Sequence, residues 1–283
     1  MRSSVLRRRW LRPGLVYVVL LLLLVPFLFP TWWMVTSSFK LPSEIFAFPP
    51  SLLPKALDLT AYQQVFESSP FAEQYFNSLY IAVLVTIGTL IVASMSGYAL
   101  ARLRFPGQNL IFILLLTGLL LPDEVTLVPL YQLVRMLGLI DTHWPLIIIP
   151  VFGGQSVFGT FVMRQFFISL PSEIEDAGFV DGLGRIGVFL RISLPMALPS
   201  LAALAILSFL NSWNLFLPPL VYLSKPQLYT LPVALIQYSD IYGQPLWNLR
   251  LAATTMSVVP VLIVFVVLQK YFVAGIVEGG LKG

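Results

Sequence analysis

With no cysteine and a single histidine, His143, in 283 residues, this chain has no disulfide, no thiolate nucleophile and no histidine cluster that could hold a metal. Charge pairing and hydrogen bonding are the chemistry left to it. The residues able to do either are gathered in a few places. The densest is Pro171 to Pro195, PSEIEDAGFVDGLGRIGVFLRISLP, with Glu173, Glu175, Asp176, Asp181, Arg185 and Arg191. A second group, Asn211, Ser212, Trp213 and Asn214, lies inside an otherwise apolar run. Two amides, a hydroxyl and an indole can hydrogen-bond a hydroxyl-rich solute and stack on it, and the same residue types can join membrane helices for about 0.6 to 2 kcal/mol. Gln155, Ser156, Asn77 and Ser78 read as packing residues, and His143 beside Trp144 as structural. Asp123 and Glu124 follow Pro122 as a pair that ends a span, with an intramembrane proton relay as the other reading. No G-x-x-x-x-G-K-[ST] loop is present, so ATP hydrolysis by that route is excluded.

Apolar runs must position these groups. The chain is 58% hydrophobic and only 11% charged, with a mean hydropathy of +0.87, as expected where lipid solvates most of the surface. A charge at the centre of a membrane helix costs roughly 2.5 to 3.5 kcal/mol, so the six in 171–195 would cost roughly 15 to 20. That segment therefore lies between spans. Six spans are expected, at about 13–39, 76–101, 110–124, 145–163, 196–223 and 251–268, in a single membrane domain covering 1–283. The first is read as a retained span rather than a signal peptide, because no A-x-A site follows it. Six crossings leave both termini on one side, and that side carries 12 of the 17 Lys and Arg residues. The positive-inside rule puts it, and with it segment 171–195, in the cytoplasm. The net charge of +4 is thus a topology signal rather than a nucleic-acid footprint.

Within 171–195, Ser172 and Glu175 have the spacing of a capping box, which predicts a helix starting near Glu173. Asp181-Gly182 predicts a turn. A second helix is expected from about Gly184 to Leu194, with Pro195 opening the next span. Ile174, Ala177, Gly178 and Asp181 fall on one helical face, where small residues would let another surface approach. On these grounds alone the segment is either a solvated loop or a docking element.

The spacing Asp176-Ala177-Gly178, three residues, Gly182, nine residues, Ile192, one residue, Leu194-Pro195 resembles the EAA-x3-G-x9-I-x-LP signature of ABC-importer permeases. Asp176 stands where Glu is usual and Gly178 where a second Ala is usual. GYALARLRFPGQN, FLNSWNLFLPPLVYL and the ending YFVAGIVEGGLKG are similar to the six-span carbohydrate branch of that family, the maltose-type permease subunit, although Leu215 replaces an acid common there. The resemblance implies an all-α, type I importer-like membrane protein of a bacterial or archaeal plasma (inner) membrane. It implies no cofactor on this chain, with ATP and Mg on the partners. Those partners would be a second permease subunit, two ATPase subunits and an extracytoplasmic solute-binding protein. Glu175, Asp176, Ala177, Gly178, Asp181, Gly182, Arg185, Ile192, Leu194 and Pro195 would couple to the ATPase. Glu278, Gly279, Gly280 and Lys282 would form a tail near it, and Asn211 to Asn214 would line the path of a sugar or related polar solute. An ion-coupled secondary transporter would need acids inside spans, and an integral membrane enzyme would need a catalytic constellation that the sequence lacks.

Overall fold

The computed structural model describes the backbone from Arg2 to Gly280 and the side chains of residues 16–122 and 124–271. The side chains of Glu278 and of the basic N-terminal residues, and Lys282 altogether, lie outside the described residues, so the predicted tail contact is not placed. Among the described residues the fold is helical, with one isolated β-bridge between Ser239 and Pro245. The chain groups into two compact units. One comprises Met1–Ser68 with Tyr238–Met256, the other Ser69–Gln237 with Ser257–Gly283.

In the first unit, helix α1 (Arg2–Ser37) contains a span at Val16–Ser37. Beyond it Pro42 opens a short helix, Pro42–Ile45, Pro49, Pro50 and Pro54 keep the next stretch irregular, and Thr60–Ser68 is helical again. The loop is held by a buried cation. Lys40 Nζ lies 4.0 Å from the Trp33 ring centroid and donates to Ser51 O at 2.7 Å and Ser37 Oγ at 3.2 Å. Burial pushes the Lys40 pKa down, and nearby Glu44 partly opposes this. Tyr62 Oη pairs with Ser38 Oγ at 2.7 Å, and Arg250 Nε donates to Tyr238 O at 2.9 Å.

The second unit is organised on α2 (Phe71–Arg102), 32 residues or about 48 Å long. It is long enough to cross a bilayer core and protrude on both sides. Near one end, Ile81 and Val85 pack with Val134, Leu146, Tyr222 and Leu223. Near the other, Ala93 and Tyr98 pack with Met163, Phe167, Ala197 and Leu204. Small residues set the closest approach. A Cβ on Gly97 would lie 2.7 Å from Met163 Cβ and 2.9 Å from the Arg164 backbone nitrogen.

Among the described residues, five stretches are long and apolar enough to cross a membrane: Val16–Ser37, Phe71–Arg102, Trp144–Ser169, Leu198–Tyr222 and Trp247–Tyr271. The span expected at 110–124 differs. Its helix, α3 (Gln108–Gly118), has 11 residues, about 16 Å against a hydrocarbon core of about 30 Å. Turns follow, and Pro122, which lacks an N–H to continue the preceding helix, is the N-cap of α4 (Asp123–Met136). Two further spans are also in pieces. The fourth is α5 (Trp144–Phe152) and α6 (Gly154–Ser169), parted at Gly153, where a Cβ would sit 2.5 Å from Ile149 O. The fifth is α8 (Leu198–Trp213), broken at Asn214 before a short helix Leu217–Tyr222. Between α6 and α8 lie α7 (Ser172–Val180), a helical turn Arg185–Val188 and a widened π turn Phe189–Ser193. The last long helix is α9 (Trp247–Gly280).

Candidate functional site

The three interruptions meet at one cavity of about 810 Å³. Its walls include Leu119, Leu121 and Pro122 from the gap between α3 and α4, Gly154 and Gln155 from the start of α6, and Asn214, Leu215 and Phe216 from the break after α8. Non-helical backbone at membrane depth is tolerated where it is buried in protein or lines a cavity, since lipid cannot satisfy the freed polar groups. Asn214 meets this demand in part: its backbone N–H and side-chain Nδ2 both donate to Leu210 O, at 3.0 and 2.9 Å.

Of the four residues expected on the path, Asn211 and Asn214 line the cavity. Ser212 and Trp213 do not. They are buried, and Trp213 stacks on Phe209 at 5.5 Å and meets Tyr75 edge-on at 5.9 Å. The helical period explains this, because Asn211 and Asn214 are three residues apart and share a face, while their neighbours turn away. Gln155, read as a packing residue, serves both roles: it lines the cavity and its Oε1 accepts from Ser208 Oγ at 3.1 Å. Ser208 and Glu124 also belong to the wall. Ser208 lies one turn before Asn211 and Ser212, so the spacing was visible in the sequence.

Asn77 and Ser78 are packing residues, as expected. Asn77 Nδ2 donates to Gln227 O at 2.8 Å, and Ser78 Oγ accepts from Leu231 N–H at 2.7 Å. Together with Gln74, which reaches Pro226 O at 3.0 Å, they tie α2 to the loop before residue 231. His143 is structural too. Its Nε2 bonds Leu228 O at 2.7 Å, so Nδ1 is left to accept from Tyr80 Oη.

Segment 171–195 folds as helix, turn and helix, with three corrections. The capping box does not form: Pro171 is the N-cap, without a side-chain cap bond, and Ser172 is already helical. Glu175 instead turns inward, 5% exposed. Its Oε2 lies 3.0 Å from Arg102 Nε, and its Oε1 accepts from Ser193 Oγ at 2.7 Å. A paired carboxylate in a dry site outweighs a cap worth about 1 kcal/mol.

The second correction concerns the helix face. Gly178 is buried with Glu175, whereas Ile174, Ala177 and Asp181 are exposed. The surface that approaches Gly178 belongs to this chain, since a Cβ there would meet Ile192 Cδ1 at 2.4 Å. Third, Pro195 does not open the next span. It lies in a short turn, Leu194–Met196, and α8 begins at Leu198 with Pro199 in its first turn. Asp181 ends α7 and Gly182 has φ +85°, which glycine adopts without strain.

Outward from this segment point Asp176, Ala177, Asp181 and Arg185, together with Val180 at 87% and Ile186 at 75% exposure. Ile192 and Leu194 are half-buried. Among the described residues there is no His, Cys, Asp and Glu group able to hold a metal.

Long apolar helices, several of them interrupted around a cavity that carries a few polar side chains, define a multi-pass helical membrane protein. The chain belongs to the family of binding-protein-dependent transport system inner membrane components, whose pattern matches residues 90–278. Similar proteins include the probable ABC transporter permease protein YurM of Bacillus subtilis (strain 168), 36% identical over 98% of this chain and 91% of that one. The arabinooligosaccharides transport system permease protein AraQ of Halalkalibacterium halodurans is 37% identical over 90% of this chain and 91% of its own. The sulfoquinovosyl glycerol transport system permease protein SmoH of Agrobacterium fabrum is 35% identical over 94% and 93%. A crystal structure of a bacterial ABC transporter involved in the import of the acidic polysaccharide alginate contains a chain of the same fold. Its TM-score is 0.79 at 24% identity, over 92% of this chain and 96% of that one.

Proposed function

We propose that this chain is one of two membrane subunits of an ATP-driven importer that takes neutral oligosaccharides from a binding protein and moves them through the cavity between its broken helices. The carrying observation is that the three interrupted spans converge on one cavity, mainly apolar, into which a few polar side chains are set. Glu124, Gln155, Ser208, Asn211 and Asn214 offer amides, a hydroxyl and a carboxylate, the groups that satisfy sugar hydroxyls. Among the described residues, no Lys, Arg or His lines the cavity. A phosphate, sulfonate or uronate group stripped of its water would need full cationic partners, and the start of α6 supplies only a partial positive charge. Relatives named for arabinooligosaccharides and galactooligosaccharides fit this reading.

In this reading both termini and segment 171–195 are cytoplasmic, six crossings are made, and the exposed face with Asp176, Asp181, Arg185, Val180 and Ile186 docks on an ATPase subunit. That face mixes charge with apolar area, as protein interfaces do. ATP and Mg are held by the partner.

The test is uptake by membrane vesicles carrying the whole importer and its binding protein. Import should require internal ATP, proceed with neutral oligosaccharides, and fall about tenfold or more in Asn211→Leu, which leaves a sugar hydroxyl without its partner (about 1 to 3 kcal/mol). Import that persists without ATP, driven by an ion gradient, would overturn the reading.

A further inference from the structure

We propose that Arg102 and Glu175, closed by Ser193, form the strut through which displacement of α7 reaches the long helix α2. This rests on the ATPase-docking reading, and goes beyond it by assigning the route the motion takes. Arg102 is the last residue of α2. A guanidinium there also suits the negative end of the helix dipole. From this one side chain, Nη2 donates to Leu170 O at 2.6 Å, at the end of α6, while Nε lies 3.0 Å from Glu175 Oε2 on α7 as a charge contact. The other carboxylate oxygen of Glu175 is held by Ser193 in the π turn that leads to α8. The ends of α2 and α6, the middle of α7 and the approach to α8 therefore meet at two charged side chains.

Nearby groups stiffen the junction. Leu100 O accepts from Arg164 Nε at 3.0 Å and from Gln108 Nε2 at 2.6 Å. Tyr98 packs against Phe189 and Phe167, with ring centroids 4.8 and 5.3 Å apart. On the opposite side of α7, Asp176 and Val180 are exposed. The helix thus has one face available to a partner and one face bolted to the span bundle. A rigid element transmits displacement only if its inner face is held. Here a charge pair largely withdrawn from water holds it at 3.0 Å, with the directional bonds supplied by Arg102 Nη2 to Leu170 O and Ser193 Oγ to Glu175 Oε1. Glu175 and Arg102 are positioning residues in this scheme: neither touches solute or nucleotide.

The experiment uses the complete importer in proteoliposomes with its solute-loaded binding protein, and measures solute imported per ATP hydrolysed. Arg102→Gln should lower that ratio about tenfold, within the usual range of coupling between sites, while the ATPase chains still co-purify. The reversed pair, Arg102→Glu with Glu175→Arg, should return the ratio to within about threefold of the unmodified complex, a rescue that a loss of folding would not show. Should Arg102→Gln fail to assemble, Ser193→Ala keeps both charges and should lower the ratio about two- to fivefold. An unchanged ratio in an assembled Arg102→Gln complex, in Ser193→Ala, or a reversed pair no better than the single variants, overturns the strut. Absence of the ATPase chains from the unmodified complex would overturn the docking reading itself, and the strut with it.

Discussion

Asp141 adopts φ +56°, the left-handed region that a short polar side chain tolerates. Its carboxylate accepts from the Ser224 N–H at 2.6 Å and from Ser224 Oγ at 2.8 and 2.7 Å. The Ser224 hydroxyl and N–H hold its pKa below the ordinary carboxylate value; slight burial opposes this, and Lys225 adds to it. A folded pKa below the unfolded one of about 3.9 contributes stability that is present above the unfolded value and lost as pH falls through the folded one. Asp141→Asn keeps the backbone preference and removes the charge. The unmodified chain should therefore melt above the variant at pH 7, and the two should converge as the medium is acidified below about pH 4. A gap that stays constant over that range would show that the carboxylate charge contributes nothing. Glu175 is the contrasting acid: its partners lie 73 and 18 positions away by residue number, at Arg102 and Ser193, so only the tertiary fold reveals its role.

Two glycines show how differently helices can be held together. At Gly97 a Cβ would press on the Arg164 backbone nitrogen at 2.9 Å, so α2 and α6 would have to part. At Gly178 the obstacle is the terminal methyl of Ile192, which can turn aside. Gly97→Ala should lower stability by about 1 to 3 kcal/mol, the usual cost of overpacking. Gly178→Ala should stay within about 1 kcal/mol, because the gain in helix propensity offsets a rotamer change of Ile192. Thermal unfolding in one detergent compares them, and equal losses would refute the distinction. The contact also gives the Gly178 to Ile192 spacing a meaning, since the small residue of the signature's first block packs beside its isoleucine. Helix, turn and helix were legible from Asp181-Gly182 and the periodicity of 171–195, and five spans were legible from hydropathy alone. The breaks at Gly153 and Asn214 were not. Hydropathy averages over 18 or more residues, while a break depends on one glycine or one asparagine amide finding its carbonyl. The inward turn of Glu175 escaped for a related reason, because local pattern offered a cap and a distant arginine offered more.

At the scale of the molecule, the number of crossings follows from how α3 and α4 are counted together. Alone, the 11 residues of α3 reach only about half of a bilayer core. The 14 residues of α4 add about 21 Å, so the two pieces with their junction exceed the roughly 30 Å needed. The junction at Leu119 to Pro122 faces the cavity, where irregular backbone is permitted. A five-crossing chain would instead place Arg164, Arg185 and Arg191 outside, against the positive-inside rule. Because the chain has no cysteine, each engineered one is its sole thiol and reports its own side of the membrane. Met136, Val180 and Tyr242 are each more than four-fifths exposed. In the six-crossing arrangement, a membrane-impermeant maleimide applied to intact cells should label Met136→Cys and Tyr242→Cys, and label Val180→Cys only after lysis. Five crossings reverse all three results, because losing the α3 to α4 passage inverts everything after it. The reversed pattern would place α7 away from any cytoplasmic ATPase, and would remove the docking face and the strut behind it in a single measurement.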